Sequence, residues 1–347
     1  MKEVATIGLD IAKNVFQVHA ADAAGVTVFN RKLQRSDVLG FFRELPPCLV
    51  ALEACSSAHH WARSIQGFGH EVRLIHPPYV KPFVKRGKTD AADAEAINEA
   101  LTRKTMRFVP IKSVSQQAFA MLFRTRSLLV RQKTQSVNAL RSHLAELGIV
   151  AKSGRSSVPY LLKFVRENGP AQLPPPVFFG LEIVVTQIER LQDAVEQIER
   201  EIKIQAKCDQ DIDRLTTIPG VGPTTAVAIK ALVPDPTGFK SARHFAAWIG
   251  LTPKSYSSGE NRVLGPVSRM GNNQLRSLLV IGAMAVLSHV NEADGNTTWI
   301  SRLKRRRPFM VAAVAVASKT ARIIWALLKK GGVFVRSPGI SLLESSV

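Results

Sequence analysis

The stretch that most constrains this chain is Val4-Ala5-Thr6-Ile7-Gly8-Leu9-Asp10. Val4 to Leu9 is apolar or small at every position, which suits a strand covered on both faces. Asp10 closes the run. A carboxylate there is costly to bury unless it is paired, hydrogen-bonded or bound to a cation. A second apolar run, Asn14 to Ala21, follows at once. Asp22-Ala23-Ala24-Gly25 reads as its turn, and Val26 to Leu33 as a third strand. The expected start is an antiparallel meander with an acid at the rim of its first strand.

The same device recurs downstream. Residues 37–45 read as a short helix, and Cys48 to Glu53 as another buried strand ending in an acid. Ala58 to Phe68 reads as a helix, and Glu71 to Ile75 as a strand stopped by Pro77-Pro78. Strands alternating with helices after a meander predict a mixed α/β domain. In Lys88-Thr89-Asp90-Ala91-Ala92-Asp93-Ala94 the alanine-rich run, continuing to Leu101, predicts a helix with Thr89 or Asp90 as its cap. Asp90 and Asp93 then share one face. The helix dipole alone favours acids in a first turn. Four acids from separated elements nevertheless suggest a divalent-cation site of oxygen ligands. Two ions roughly 4 Å apart there can activate a nucleophile and stabilise a leaving oxygen on phosphate. Strand-Asp, strand-Glu, helix Asp-x-x-Asp is the order of a RuvC-like, ribonuclease H-like nuclease core.

Charge narrows the partner. Lys and Arg number 47 against 27 Asp and Glu, a net charge of +20. Such an excess favours a polyanion, either nucleic acid or an anionic membrane surface. Membrane insertion is not expected. Leu278 to Val290 is too short to span, and Phe309 to Leu328 is interrupted by Lys319 and Arg322. No signal peptide follows Lys2 and Glu3. The three cysteines, Cys48, Cys55 and Cys208, form no CxxC pair and fit a reducing cytoplasm. The adjacent pair His59-His60 points two ways on a helix, so packing or surface roles are expected.

The rest of the chain reads as mostly helical. Ser115 to Leu147 contains no Gly or Pro and predicts one long helix closed by Gly148. Lys152-Ser153-Gly154-Arg155 reads as a loop. Gly169-Pro170 and Pro174-Pro175-Pro176 punctuate the next segment. Phe178 to Ala206 predicts a second long helix, whose stripe from Leu181 to Ile202 approximates heptads. That stripe suits either a coiled-coil arm for oligomerisation or an intramolecular hairpin with residues 115–147. Ile218-Pro219-Gly220-Val221-Gly222 lies between two short helices, with Thr224 or Thr225 able to cap the second. This is a helix–hairpin–helix pattern, in which Gly220 and Gly222 let backbone N–H groups approach a phosphate. It is equally the pattern of a plain interhelix turn. Lys254 to Arg262 reads as a polar, flexible, hydroxyl-rich stretch followed by Arg269 and Arg276. A serine there can attack a phosphodiester while arginines hold the phosphate. Helices are expected at 273–290, 296–304 and 309–330. Arg302 to Arg307, including Arg305, Arg306 and Arg307, is the densest basic cluster and suits a nucleic-acid backbone. The tail after Gly331-Gly332 reads as loosely held.

These motifs together resemble the DEDD insertion-sequence transposases of the "one-ten" family, related to Piv-type DNA invertases. The likeness rests on Gly8-Leu9-Asp10-Ile11-Ala12-Lys13, Leu52-Glu53-Ala54, Lys88 to Ala94, Ile218 to Gly222 and Phe245 to Pro253. Ser257-Ser258-Gly259, Arg269-Met270-Gly271 and Leu275-Arg276 continue it, so it spans about residues 4–330. Ser56-Ser57 depart from the glycines common after the family's Glu-Ala.

The resemblance implies a RuvC-like DEDD domain over 1–110, long helices with a coiled-coil oligomerisation segment over 111–207, and a mainly helical transposase domain over 208–335 with a 336–347 tail. It implies Mg²⁺ held by Asp10, Glu53, Asp90 and Asp93. It implies Ser258 as a nucleophile that joins covalently to cleaved DNA, with Arg262 and Arg269 as candidate phosphate contacts. The implied partners are double-stranded donor and target DNA and a structured noncoding guide RNA. The implied assembly is a homo-oligomer, a dimer of dimers, in which acids and serine meet across protomers. The competing readings are a metal-dependent RuvC-like nuclease or resolvase, an actin-like ATPase, and a non-catalytic nucleic-acid-binding scaffold.

Overall fold

The computed structural model describes residues 3–335 except 86, 88, 153, 207–208, 234, 259–260 and 291–297. The side chains of 155, 257, 258, 261 and 262 also fall outside the description. Expectations for Lys88, Cys208, Gly259 and the 336–347 tail therefore lie outside the described residues. The chain divides into two compact units, Met1–Ser115 and Gln116–Val347.

The first unit is built on a sheet. β1 (Thr6–Ile11), β2 (Val15–Ala21) and β3 (Thr27–Gln34) form the expected meander. Its second turn is closed by Asp22 Oδ1, which accepts from the amides of Ala24 at 3.0 Å and Val26 at 2.9 Å. Next come α1 (Val38–Glu44), β4 (Leu49–Glu53), α2 (Ala58–Gln66), β5 (Glu71–Ile75), α3 (Pro77–Val80), α4 (Asp90–Leu101) and a short β6 (Phe108–Val109). The strand order is β3-β2-β1-β4-β5-β6, with β4 and β5 parallel to β1 and β6 antiparallel to β5.

Strand periodicity of two sorts the side chains. Ile7, Leu9, Phe16, Val18, Val50 and Leu52 meet Phe42 of α1 and Trp61 and Ile65 of α2. Ala51 and Ile75 meet Ile97, Ala100 and Leu101 of α4 on the other face. Both faces are thus covered, as the near-continuous apolar strands anticipate. His59 Nδ1 accepts from the Lys112 amide at 3.2 Å, a packing role for that histidine.

The second unit is mostly helical. α5 (Val114–Glu146) begins at the boundary and is followed by α6 (Val158–Glu167), α7 (Gly169–Gln172) and α8 (Pro175–Ala206). α5 and α8 run antiparallel. Arg126 Nε donates to Glu199 Oε1 at 3.0 Å, Lys133 bonds Gln192, and Val137, Leu140 and Leu144 pack with Leu181, Val185 and Ile188. Of the two uses open to the heptad-like stripe, this chain spends it on an intramolecular hairpin. α6 lies across it, and Arg166 reaches Glu182 at 3.0 Å and Glu189 at 2.9 Å.

The remaining elements are α9 (Gln210–Thr216), α10 (Pro223–Leu232), α11 (Ala242–Ile249), β7 (Pro253–Ser258), β8 (Asn261–Val267), α12 (Asn273–Ser288), α13 (Trp299–Arg306) and α14 (Phe309–Lys330). The buried faces of the six helices among them form one core with Phe123 of α5 and Ile202 of α8. Among the described residues α14 alone is long and apolar enough to cross a membrane. Ala312, Ala313, Val316, Ala317, Ala321 and Ile324 place it inside this core.

Two expectations are corrected here. The cap of α10 is Gly222, with no side-chain hydrogen bond, and Thr225 is buried instead. The polar stretch from Lys254 is an antiparallel β-hairpin, because its backbone groups pair across β7 and β8.

Candidate active site

The parallel strands β1, β4 and β5 end on one rim, where α/β sheets bind ligands. Leu9 pairs with Leu52, and Glu53 with Ile75, so Asp10 and Glu53 stand level with Ile75, and His76 follows one residue beyond. Gly8 brings the fourth element in. A Cβ on Gly8 would stand 2.1 Å from the Ala94 carbonyl and 2.7 Å from the Asn98 amide. Only glycine lets α4 lie this close to β1, and that approach delivers Asp90 and Asp93 to Asp10. Thr89 caps the helix, its Oγ1 accepting from the Ala92 amide at 3.2 Å.

The four acids sense one another. Burial first, then repulsion from Asp93, Asp90 and Glu53, pushes the Asp10 carboxyl up to about 6. Burial and Asp93 also raise Glu53, while His76 opposes the rise. The four expected acids therefore share one field. Among the described residues no three Asp, Glu, His or Cys form a ready metal cage. The donors are all carboxylate oxygens and their mutual repulsion is what a hard divalent cation relieves, so charge and donor type fit such an ion. Spacing is looser than a closed coordination shell.

Sequence reasoning missed the surroundings of this cluster. His76 was hidden as the residue before Pro77-Pro78, although its place at a parallel strand end was a usable signal. Gln17 and His19 pair in register with Asp10 and Gly8, and Asn98 lies on α4. All three are at least 94% buried, and Gln17 Oε1, His19 Nδ1 and Asn98 Oδ1 have no hydrogen-bond partner among the described residues. No sequence pattern marked them.

The second unit places the other expected residues in four groups. Ser258 pairs with Asn261 at the last register position of the β7–β8 hairpin, and Arg262 pairs with Ser257 beside it. Arg269 lies beyond Val267 at the opposite end, where Pro253 pairs with Val267. Six residues of strand, about 20 Å, separate it from Ser258. Within one chain the structure thus brings Arg262 to the serine's end but leaves Arg269 at the base. There Arg269 adopts φ +54°, and Arg276 Nη1 donates to the carbonyls of Ile249 at 3.0 Å and Met270 at 3.2 Å. Gly250 and Gly271 permit the close crossing of these backbones, since a Cβ on either would stand within 2 Å of Met270 or Trp248 carbonyl oxygen.

Gly220 has φ +82° and faces Gly282 of α12, whose carbonyl a Cβ would meet at 2.7 Å. Its need for glycine is satisfied by protein packing, the plain-turn alternative. Gly222, by contrast, has open space beside it at the start of α10. Arg305, Arg306 and Arg307 are exposed at the end of α13.

Family comparisons reach both units, the first match running past the unit boundary. A transposase model of the DEDD type from the IS110 group matches residues 7–149, and the transposase IS116/IS110/IS902 family model matches 212–299. A probable family 20 transposase of Pseudomonas aeruginosa is 46% identical, over 93% of this chain and 96% of its own length. The chain belongs to the IS110 family of transposases. The transposase of insertion element IS1111A from Coxiella burnetii is 38% identical over 95% of this transposase and 91% of itself. A pilin gene-inverting protein of Moraxella lacunata is 24% identical over 65% and 62%. In this transposase the first match holds all four acids, and the second holds the glycine turn and Ser258. Lys319 and Arg322 lie beyond both.

Proposed function

We propose that this transposase is a recombinase that excises and inserts its own insertion sequence through a covalent serine–DNA intermediate. The observation that carries the reading is the convergence of Asp10, Glu53, Asp90 and Asp93, where burial first and then the neighbouring carboxylates raise Asp10 to about 6. Clustered carboxylates in a chain of net charge +20 suit metal-assisted chemistry on a phosphodiester. The sheet order and acid placement support a ribonuclease H-like, RuvC-like unit. The four acids would hold Mg²⁺, which supplies positive charge to phosphate oxygens when bound.

The chain's own residues do the rest. Ser258 Oγ attacks the phosphorus, and an Oγ–P bond forms as a P–O bond of the DNA strand breaks. The serine proton passes to water, and the leaving strand oxygen takes one up. Attack by a second strand's hydroxyl reverses the exchange and frees the serine. Arg262, cross-strand from Ser257, is the candidate for binding the phosphate. The exposed Arg305, Arg306 and Arg307, with the open α10 start at Gly222, are candidates for backbone contacts along the duplex. The proposed partners are donor and target DNA and a structured noncoding RNA, with action in the cytoplasm as a homo-oligomer. The RNA rests on the family resemblance and on charge.

The test is adduct trapping. Wild-type protein with Mg²⁺ and element-end DNA should give a denaturation-resistant protein–DNA species, absent in Ser258→Ala, which still binds DNA. Cleavage without any adduct would mean that water is the nucleophile, and the serine reading would fall.

A further inference from the structure

A second charged region lies inside the helical core, apart from the acids. Lys319 and Arg322 sit three residues apart on α14 and so share a face. Lys319 is only 8% exposed, amid a helix whose neighbours are alanine, valine and isoleucine. Its Nζ stands 4.3 Å from the centre of the Trp299 ring. Arg322 Nε is buried with no hydrogen-bond partner among the described residues. The charges that bear on these groups are cationic. Arg322 repels Lys319, and Arg243 of α11 repels Arg322, each adding to the effect of burial in lowering the pKa.

This arrangement inverts the usual rule for buried charge, which is to be paired. A ring face offers Lys319 partial relief. It offers none to Arg322. The lysine also has somewhere to meet a ligand. It lines a small open cleft of about 20 Å³, room for one water-sized atom such as a single phosphate oxygen, together with Ile218, Pro219, Val286, Trp299 and Thr320. Ile218 and Pro219 begin the glycine turn between α9 and α10. Arg243 is exposed and marks the outer end of the cationic row.

We propose that Lys319, Arg322 and Arg243 form an anion subsite that takes a phosphodiester oxygen of a nucleic-acid strand passing the Ile218–Pro219 turn. The oxyanion supplies the countercharge that the core lacks, and Thr320 lines the cleft with a hydroxyl. The choice of a nucleic-acid strand as the source rests on the DNA-handling role above. The presence of an anion subsite does not.

The test uses the full chain and Lys319→Met, which keeps length and removes charge. In chloride buffer the variant should melt higher than wild type, because it no longer buries a cation. Inorganic phosphate at matched ionic strength should raise the wild-type Tm by several degrees and leave Lys319→Met unmoved. Nucleic-acid affinity should fall about tenfold in the variant, with a log–log salt slope shallower by about 1 for one lost phosphate contact.

No phosphate-dependent shift in wild type overturns the subsite. An equal shift in both proteins overturns the role of Lys319. A phosphate shift with an unchanged nucleic-acid salt slope identifies free phosphate as the ligand and overturns the strand as source. Should Lys319→Met fail to fold, Arg243→Gln at the surface serves instead, and it should halve the phosphate shift or better; an unchanged shift counts against the site. Ser258→Ala should keep the phosphate shift, so failure of the serine chemistry and failure of this subsite are read separately.

Discussion

At the scale of single residues, Asp10 carries the clearest conflict between stability and function. Its folded-state pKa, about 6, lies above the ordinary carboxylate value of 3.8. The folded protein therefore binds more protons than the unfolded chain between those values, and stability falls as pH rises through them. The contribution is fully present below about 4 and lost above about 6. Asp10→Asn removes the penalty. In chelator at pH 8 that variant should be more stable than wild type by about 1–2 kcal/mol, a figure already reduced for solvent screening. Its urea midpoint should also be flatter between pH 4 and 7, and Mg²⁺ should stabilise wild type more than the variant. Equal midpoints at pH 8 would mean that the carboxylates do not repel, and the shared site would be lost. The acids were legible because each closes an apolar run or opens an alanine-rich helix. Gln17, His19 and Asn98 were not, because a buried polar side chain inside a strand or helix leaves no periodic signature. Their role depends on which strands become neighbours, and that is a tertiary fact.

At the scale of elements, the approach of α4 to β1 decides whether a site exists. Gly8 allows it, and the tight contact is with backbone atoms, which cannot rotate away. Gly8→Ala should cost about 1–3 kcal/mol as overpacking. Activity should fall further than the loss of folded protein explains, since lifting α4 withdraws Asp90 and Asp93 from Asp10 and Glu53. Thermal melts beside adduct yield separate the two effects, and adduct yield that merely tracks folded fraction would deny α4 its positioning role. Boundaries of the elements expected in this unit were legible to within a residue or two, since alternation, Thr89 capping and Pro77-Pro78 all act locally, but α3, which Pro77-Pro78 opens, and the short β6 were not anticipated. The β7–β8 hairpin was not. Lys254 to Arg262 is polar on both faces, and exposed Tyr256, Val263 and Leu264 give no buried alternation. The heptad-like stripe of α8 was legible as a packing face but not as to its partner. Arg126–Glu199 and Lys133–Gln192 fix α5 as that partner only once both helices are in place.

At the scale of the whole molecule, the proposed chemistry is divided between two compact units. The acids lie within Met1–Ser115 and Ser258 within Gln116–Val347. A single phosphate must be reached by both sets, either from one chain or from two. Separation onto different protomers would make cleavage wait for assembly, which protects chromosomal DNA from lone copies of the enzyme. Mixing two inactive proteins distinguishes the arrangements. Asp10→Asn alone and Ser258→Ala alone should each yield no adduct. If sites form across protomers, a mixed dimer holds one site with intact acids from the Ser258→Ala chain and an intact serine from the Asp10→Asn chain. Equal random mixing makes half the dimers mixed, each with one of two sites restored, so adduct should return to about a quarter of wild type. The DNA should be attached only to the chain bearing Asp10→Asn, which a size tag on either chain would reveal. If each site is built from one chain, every site in every mixture lacks either an acid or the serine, and no adduct should appear at any ratio.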